Sequence, residues 1–93
     1  MERIARHLTI SGRVQGVWYR AWTTQTAEEL GLSGWVRNRR EGSVEAVVAG
    51  PRDAVETMIE RCKDGPPHAV VDEVTAEPTA EPDIGGFEQR PTA

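Results

Sequence analysis

The chain predicts an α+β sandwich, with two helices packed on one face of a mainly antiparallel sheet. Three observations carry that expectation: apolar residues recur at a period of two in several short runs, at three and four in two longer ones, and the runs follow one another as β-α-β-β-α-β.

At residues 4–10, Leu8 and Ile10 fall on one side and His7 and Thr9 on the other, as a half-buried strand requires. Tyr19, Trp22, Thr23, Thr26, Ala27 and Leu30 then recur along one helical face, and Gly31 stands where a left-handed cap ends a helix. Residues 32–38 and 43–49 read as strands joined in a hairpin by Arg39, Arg40, Glu41 and Gly42. Gly50-Pro51 opens a second helix, with proline at its first position, Asp53 and Glu56 near its positive end, and Val55, Met58, Ile59 and Cys62 as its apolar stripe. Gly65-Pro66-Pro67 breaks it. Ala69, Val71 and Val74 mark a fourth strand, and the step of three between the last two predicts a β-bulge. Residues 75–82 spell TAEP twice, which is expected to be a solvated loop because repeat architectures need longer units. Residues 85–90 allow a short closing strand. This order is the split β-α-β arrangement of the ferredoxin-like class.

Length and charge bound the function. At 93 residues the chain is expected to form a single domain over residues 1–93. A net charge of −4 argues against a protein that coats nucleic acid or an anionic membrane. No apolar run approaches the roughly 20 residues of a membrane span, and the first residues lack the apolar core of a signal peptide, so a cytoplasmic protein is expected. Cys62 is alone, with no Cys or His at metal-ligand spacing, so neither a disulfide nor a metal site is expected.

The candidate site lies in Gly12-Arg13-Val14-Gln15-Gly16-Val17-Trp18-Tyr19-Arg20, between the first strand and the first helix. In the predicted topology the first and second strands run parallel with the third between them, so their C-terminal ends emerge about 10 Å apart. The loop carrying residues 15–20 and the strand end carrying Asn38 therefore become neighbours. Gly12 and Gly16 permit close backbone approach, and amide N–H groups before a helix can converge on an anion. Arg20 is unfavourable at a helix start unless it has a partner. Two readings stay open for it: a surface side chain paired with Glu28 or Glu41, or a forked ligand for a phosphate or carboxylate. The glycine spacing is not that of a Walker loop.

Gly12-Arg13-Val14-Gln15-Gly16-Val17, Tyr19-Arg20, Ala27 with Leu30-Gly31-Leu32, Gly34-Trp35-Val36-Arg37-Asn38, Gly42 with Val44-Glu45, and Gly65-Pro66-Pro67 together resemble the acylphosphatase family over nearly the whole chain. The resemblance implies the ferredoxin-like sandwich and a small, metal-free and cofactor-free hydrolase that cleaves acyl phosphates to carboxylate and inorganic phosphate. It maps the phosphate-binding loop onto Gln15, Gly16, Val17, Trp18 and Tyr19, the catalytic arginine onto Arg20, and the water-positioning asparagine onto Asn38. A monomer is expected, with a small-molecule acyl phosphate as substrate, phosphate as product and competitive inhibitor, and no nucleic-acid or membrane partner. Tyr19 stands where the family usually has phenylalanine. Trp18 occupies a variable position, where it either narrows the acyl side of the pocket or simply lies on the surface.

The chemistry asks for few other groups. Phosphoryl transfer spreads charge over equatorial oxygens that backbone donors and Arg20 can stabilise. The leaving carboxylate has a conjugate acid of pKa near 4, so no general acid is required. His7 and His68 are read as solvated, Cys62 as a core residue, and Trp35 as packed beneath the second strand. Arg37, Arg39 and Arg40 either steer phosphate or solvate the hairpin. Two non-enzymatic readings compete. An RNA-binding module is disfavoured because the first and third strands lack stacking aromatics. A non-catalytic module that binds acyl phosphate or carbamoyl phosphate as a regulator keeps the same fold and site.

Overall fold

A computed structural model describes residues 2–93. Its elements are β1 (Arg3–Arg13), α1 (Tyr19–Glu29), β2 (Ser33–Asn38), β3 (Val44–Pro51), α2 (Arg52–Cys62), β4 (Val70–Pro78) and β5 (Phe87–Gln89). The strands form one sheet in the order β4-β1-β3-β2-β5, antiparallel except for the β2–β5 pair. The ferredoxin-like expectation is met, closing strand included. Because β1 and β2 each pair antiparallel with β3, their C-terminal ends meet at one end of the sheet.

Strand alternation puts Leu8, Ile10, Val36, Val44, Ala46 and Val48 on the face that the helices cover, where they meet Tyr19 and Ala27 of α1 and Val55, Met58 and Cys62 of α2. Truncating a side chain such as Leu8 to alanine there costs about 2–5 kcal/mol. Helix α1 ends as its sequence requires: Gly31 takes φ 72°, its N–H donates to the Glu28 carbonyl, and the Leu32 N–H donates to the Ala27 carbonyl. This double closure satisfies carbonyls that the helix end would otherwise leave unpaired.

The bulge lies where the spacing of apolar residues places it. The β1–β4 register passes from Ser11↔Glu73 to Gly12↔Val71, leaving Asp72 as the extra residue. Gly12 sits against it at φ 121°, and a Cβ there would lie 2.3 Å from the Val70 carbonyl oxygen. Glycine is thus required where β1 finishes its pairing and the chain turns into the candidate loop.

Three expectations need correction. The first TAEP copy is strand rather than loop, since Thr75 to Ala76 and on to Pro78 pairs with Arg6 to Thr9 of β1. As the sheet's edge, β4 needs no apolar alternation, and Pro78 at its end removes only a donor. Pro51 precedes α2 rather than occupying its first position: with φ −56° and ψ 140° it is still extended and pairs with Arg3. Trp35 does not pack beneath β2. Its neighbours Gly34 and Val36 take the helix-covered face, so alternation turns Trp35 to the opposite, open face, where the guanidiniums of Arg37 and Arg90 each lie 4.9 Å from its ring centroid. Among the described residues no helix is long and apolar enough to cross a membrane.

Candidate active site

At the end of the sheet where β1 and β2 finish, a cavity of about 330 Å³ opens between the loop after β1, the start of α1, and the ends of β2 and β5. Gly16, Trp18, Tyr19, Arg20 and Asn38 all line it. The fold thus brings Arg20 and Asn38 to one concavity. Gln15 and Val17 do not line it: the Val17 side chain is drawn into the core, and that of Gln15 turns into the β2–β3 hairpin.

The loop is held from both sides. Gln15 Nε2 donates to the Arg39 carbonyl at 2.7 Å and to the Ser43 carbonyl at 2.9 Å, so both its amide hydrogens join the loop to the hairpin that carries Asn38. At the other end, Tyr19 is buried and its hydroxyl donates to the Cys62 carbonyl at 2.6 Å. That carbonyl ends α2 and lacks an intrahelical donor, so the phenol, where the sequence departs from phenylalanine, supplies one. Burial, reinforced by the nearby Cys62, holds the phenol well above its usual range and keeps it a neutral donor. Burial likewise pushes the Cys62 thiol up to about 12, so it is a packing group rather than a nucleophile at neutral pH.

Gly16 (φ 74°) and Trp18 (φ 66°, ψ 22°) both adopt left-handed backbone, and Trp18 caps α1 without a side-chain hydrogen bond. No backbone N–H from Gln15 through Arg20 finds a backbone acceptor among the described residues, and the first turn of α1 holds no acidic residue. These donors and the positive end of the helix favour an anion. Arg20 is half-buried, and among the described residues no carboxylate lies within 4.0 Å of it. The surface-pair reading therefore lacks its partner. Glu41 instead accepts from the Ser43 N–H at 2.9 Å and the Ser43 hydroxyl at 2.6 Å, and these bonds lower its pKa.

Asn38 ends β2 opposite Val44 of β3, and its carbonyl also accepts from the Ala93 N–H at 3.0 Å, so its backbone is tied on both flanks. Behind it, on the open face, Glu45 accepts from Arg37 Nε at 2.7 Å and Arg39 Nη1 at 3.3 Å and lies 2.6 Å from His7 Nε2. Burial alone would raise the Glu45 pKa, but the hydrogen bonds from His7 and Arg37 outweigh it and the net shift is downward. His7 is thus a hydrogen-bonded member of a charge cluster, not a free solvated side chain. Gln89 of β5, which sequence reasoning missed, also lines the cavity. Its only signal was the closing strand, whose parallel pairing with β2 sets it opposite Val36, two residues before Asn38. Among the described residues no group of three or more His, Cys, Asp or Glu could hold a metal ion.

A sequence model of the acylphosphatase family matches residues 6–89. The chain belongs to the acylphosphatase family. It is 57% identical over 91 residues to an acylphosphatase of Rhizorhabdus wittichii, covering 98% of this chain and 92% of that one. To an acylphosphatase of Rhodospirillum rubrum it is 58% identical over 83 residues, 89% and 91% of the two chains. The solved structure of an acylphosphatase from Coxiella burnetii superposes with a TM-score of 0.91 at 41% identity, covering 95% of this chain and 93% of that one. Acylphosphatase membership thus spans the loop, Arg20, Asn38 and the closing strand.

Proposed function

We propose that this chain is an acylphosphatase, hydrolysing the mixed anhydride of acyl phosphates to a carboxylate and inorganic phosphate. The observation that carries this reading is Arg20, a cation with no carboxylate partner among the described residues, lining one cavity with Asn38 and a run of unpaired backbone donors. The amides of Gln15, Gly16, Val17, Trp18 and Tyr19 and the Arg20 guanidinium receive the phosphoryl oxygens and stabilise the charge that spreads over them. The Asn38 amide holds water in line with the scissile bond without repelling the phosphate. The water oxygen bonds to phosphorus as the bond to the acyl oxygen breaks. The bonding pair leaves with the carboxylate, and the water's proton passes to a phosphoryl oxygen. A leaving group of such low basicity needs no general acid. Residues 1–93 act as one domain, a reading supported by the one sheet and the one core that the helices share, and as a monomer in the cytoplasm.

The test is turnover of acetyl phosphate by the purified protein after exhaustive chelation, with inorganic phosphate as a competitive inhibitor and an alkyl phosphate ester as a poor substrate. Phosphate binding without turnover would mark a non-catalytic binding module. Comparable turnover of the ester would contradict the mechanism.

A further inference from the structure

We infer that Trp18 is the acyl-recognition residue of this site, its indole forming the surface against which an aromatic or extended acyl group lies while the phosphoryl group is held beneath. This deepens the acylphosphatase reading and rests on it. Two features of Trp18 call for an explanation. It is the only non-glycine residue at positive φ among the described residues, a conformation that a bulky side chain adopts at a cost. Its side chain recovers nothing in the interior: the residue is 79% exposed and forms no cap bond, whereas Tyr19 beside it is buried. Strained backbone and an exposed large apolar side chain, together at a cavity rim, belong to ligand contact rather than to folding.

The reaction geometry identifies the ligand group. In-line attack puts the acyl group on the side of phosphorus opposite the water, so with Asn38 holding the water the acyl group faces away from β2. The phosphoryl oxygens are taken by the loop amides and Arg20, leaving the acyl group to exit towards solvent. Of the large apolar residues lining the cavity, Val14 and Tyr19 are buried and Trp18 alone is exposed. An indole there offers a flat apolar face that suits a planar aromatic acyl group and has little to offer a methyl.

The experiment compares benzoyl phosphate with acetyl phosphate in the wild type and in Trp18→Gly. Glycine keeps the backbone N–H and favours the left-handed conformation, so folding and the cradle are retained. Expected is a fall of roughly tenfold in the ratio of kcat/KM for benzoyl phosphate to that for acetyl phosphate, since any loosening of the shared phosphate cradle acts on both substrates alike and cancels in that ratio. Trp18→Phe should restore most of the difference. Benzoylphosphonate and acetylphosphonate, as non-hydrolysable inhibitors, should show the same selective loss. An equal loss for both substrates, or no loss for either, overturns the inference. A selective loss of phosphonate binding in a protein without turnover would overturn the hydrolase reading and uphold the role of the indole.

Discussion

The cavity and the open face of the sheet hold similar side chains in opposite circumstances. On the open face, Arg37 and Arg39 share Glu45, His7 joins the same carboxylate, and Arg37 and Arg90 lie over Trp35. At the cavity, Arg20 has no carboxylate partner among the described residues, the loop N–H groups have no backbone acceptors, and Trp18 is exposed on strained backbone. One region satisfies its polar groups within the chain. The other leaves them without such partners among the described residues, and we propose that an anion completes them. Charge count and neighbouring sequence make the arginines look alike; the positions of the carboxylates separate them.

If that division is sound, changes at the cavity should cost turnover without stability, and changes on the open face the reverse. The largest effect is expected for Asn38→Ala. Its kcat should fall on the order of 10² to 10³, as for loss of one oriented transition-state donor, while phosphate inhibition and the melting temperature stay near wild type. Loss of phosphate affinity in the folded variant would reassign Asn38. Gln15→Leu should fall between the two classes, because its amide links the loop to the hairpin. The Arg39 and Ser43 carbonyls each lose one donor and keep a backbone one, from the Gly42 and Arg39 N–H groups, at about 0.5–1.5 kcal/mol of stability per bond by urea unfolding, and turnover drops because loop and Asn38 are no longer held in register. Unchanged stability and turnover would show that the latch is unimportant.

The smallest effect is expected for Glu45→Gln. The folded pKa of Glu45 lies below its ordinary value of 4.5, so its bonds stabilise the protein above that pH and are lost as pH falls through the folded value. The wild-type melting temperature should therefore fall more steeply than that of the variant as pH drops from 5 towards 3, with turnover at neutral pH little changed. Parallel melting profiles would remove Glu45 from the account of stability.

Much of this was legible in the sequence because local rules and tertiary structure agree. Leu8 and Ile10 alternate, Gly31 closes α1, and the step of three from Val71 to Val74 registers as the extra residue Asp72. The juxtaposition of the loop with Asn38 followed from topology alone. Where reading failed, the deciding interaction was non-local. The first TAEP copy is held as strand by its pairing with β1, although its own composition favours a loop. Nothing near Gln15 announces the Arg39 and Ser43 carbonyls, and nothing near Tyr19 announces Cys62. Trp35 lies on the open face because alternation along β2 decides its side, and two guanidiniums make that face hospitable to an indole. Gln89 reaches the cavity through a strand too short to carry a pattern.

The contrast between paired and unpaired arginines is tested most directly by calorimetric titration of inorganic phosphate into wild type, Arg20→Lys and Arg37→Lys. Lysine keeps the charge and loses the planar fork, so net charge is the same in both variants. Arg20→Lys should weaken phosphate binding roughly tenfold or more, the loss of at least one charge-assisted hydrogen bond, and Arg37→Lys should leave it near wild type. Equal weakening in the two variants, or undiminished binding in Arg20→Lys, would contradict the assignment of the anion site to Arg20.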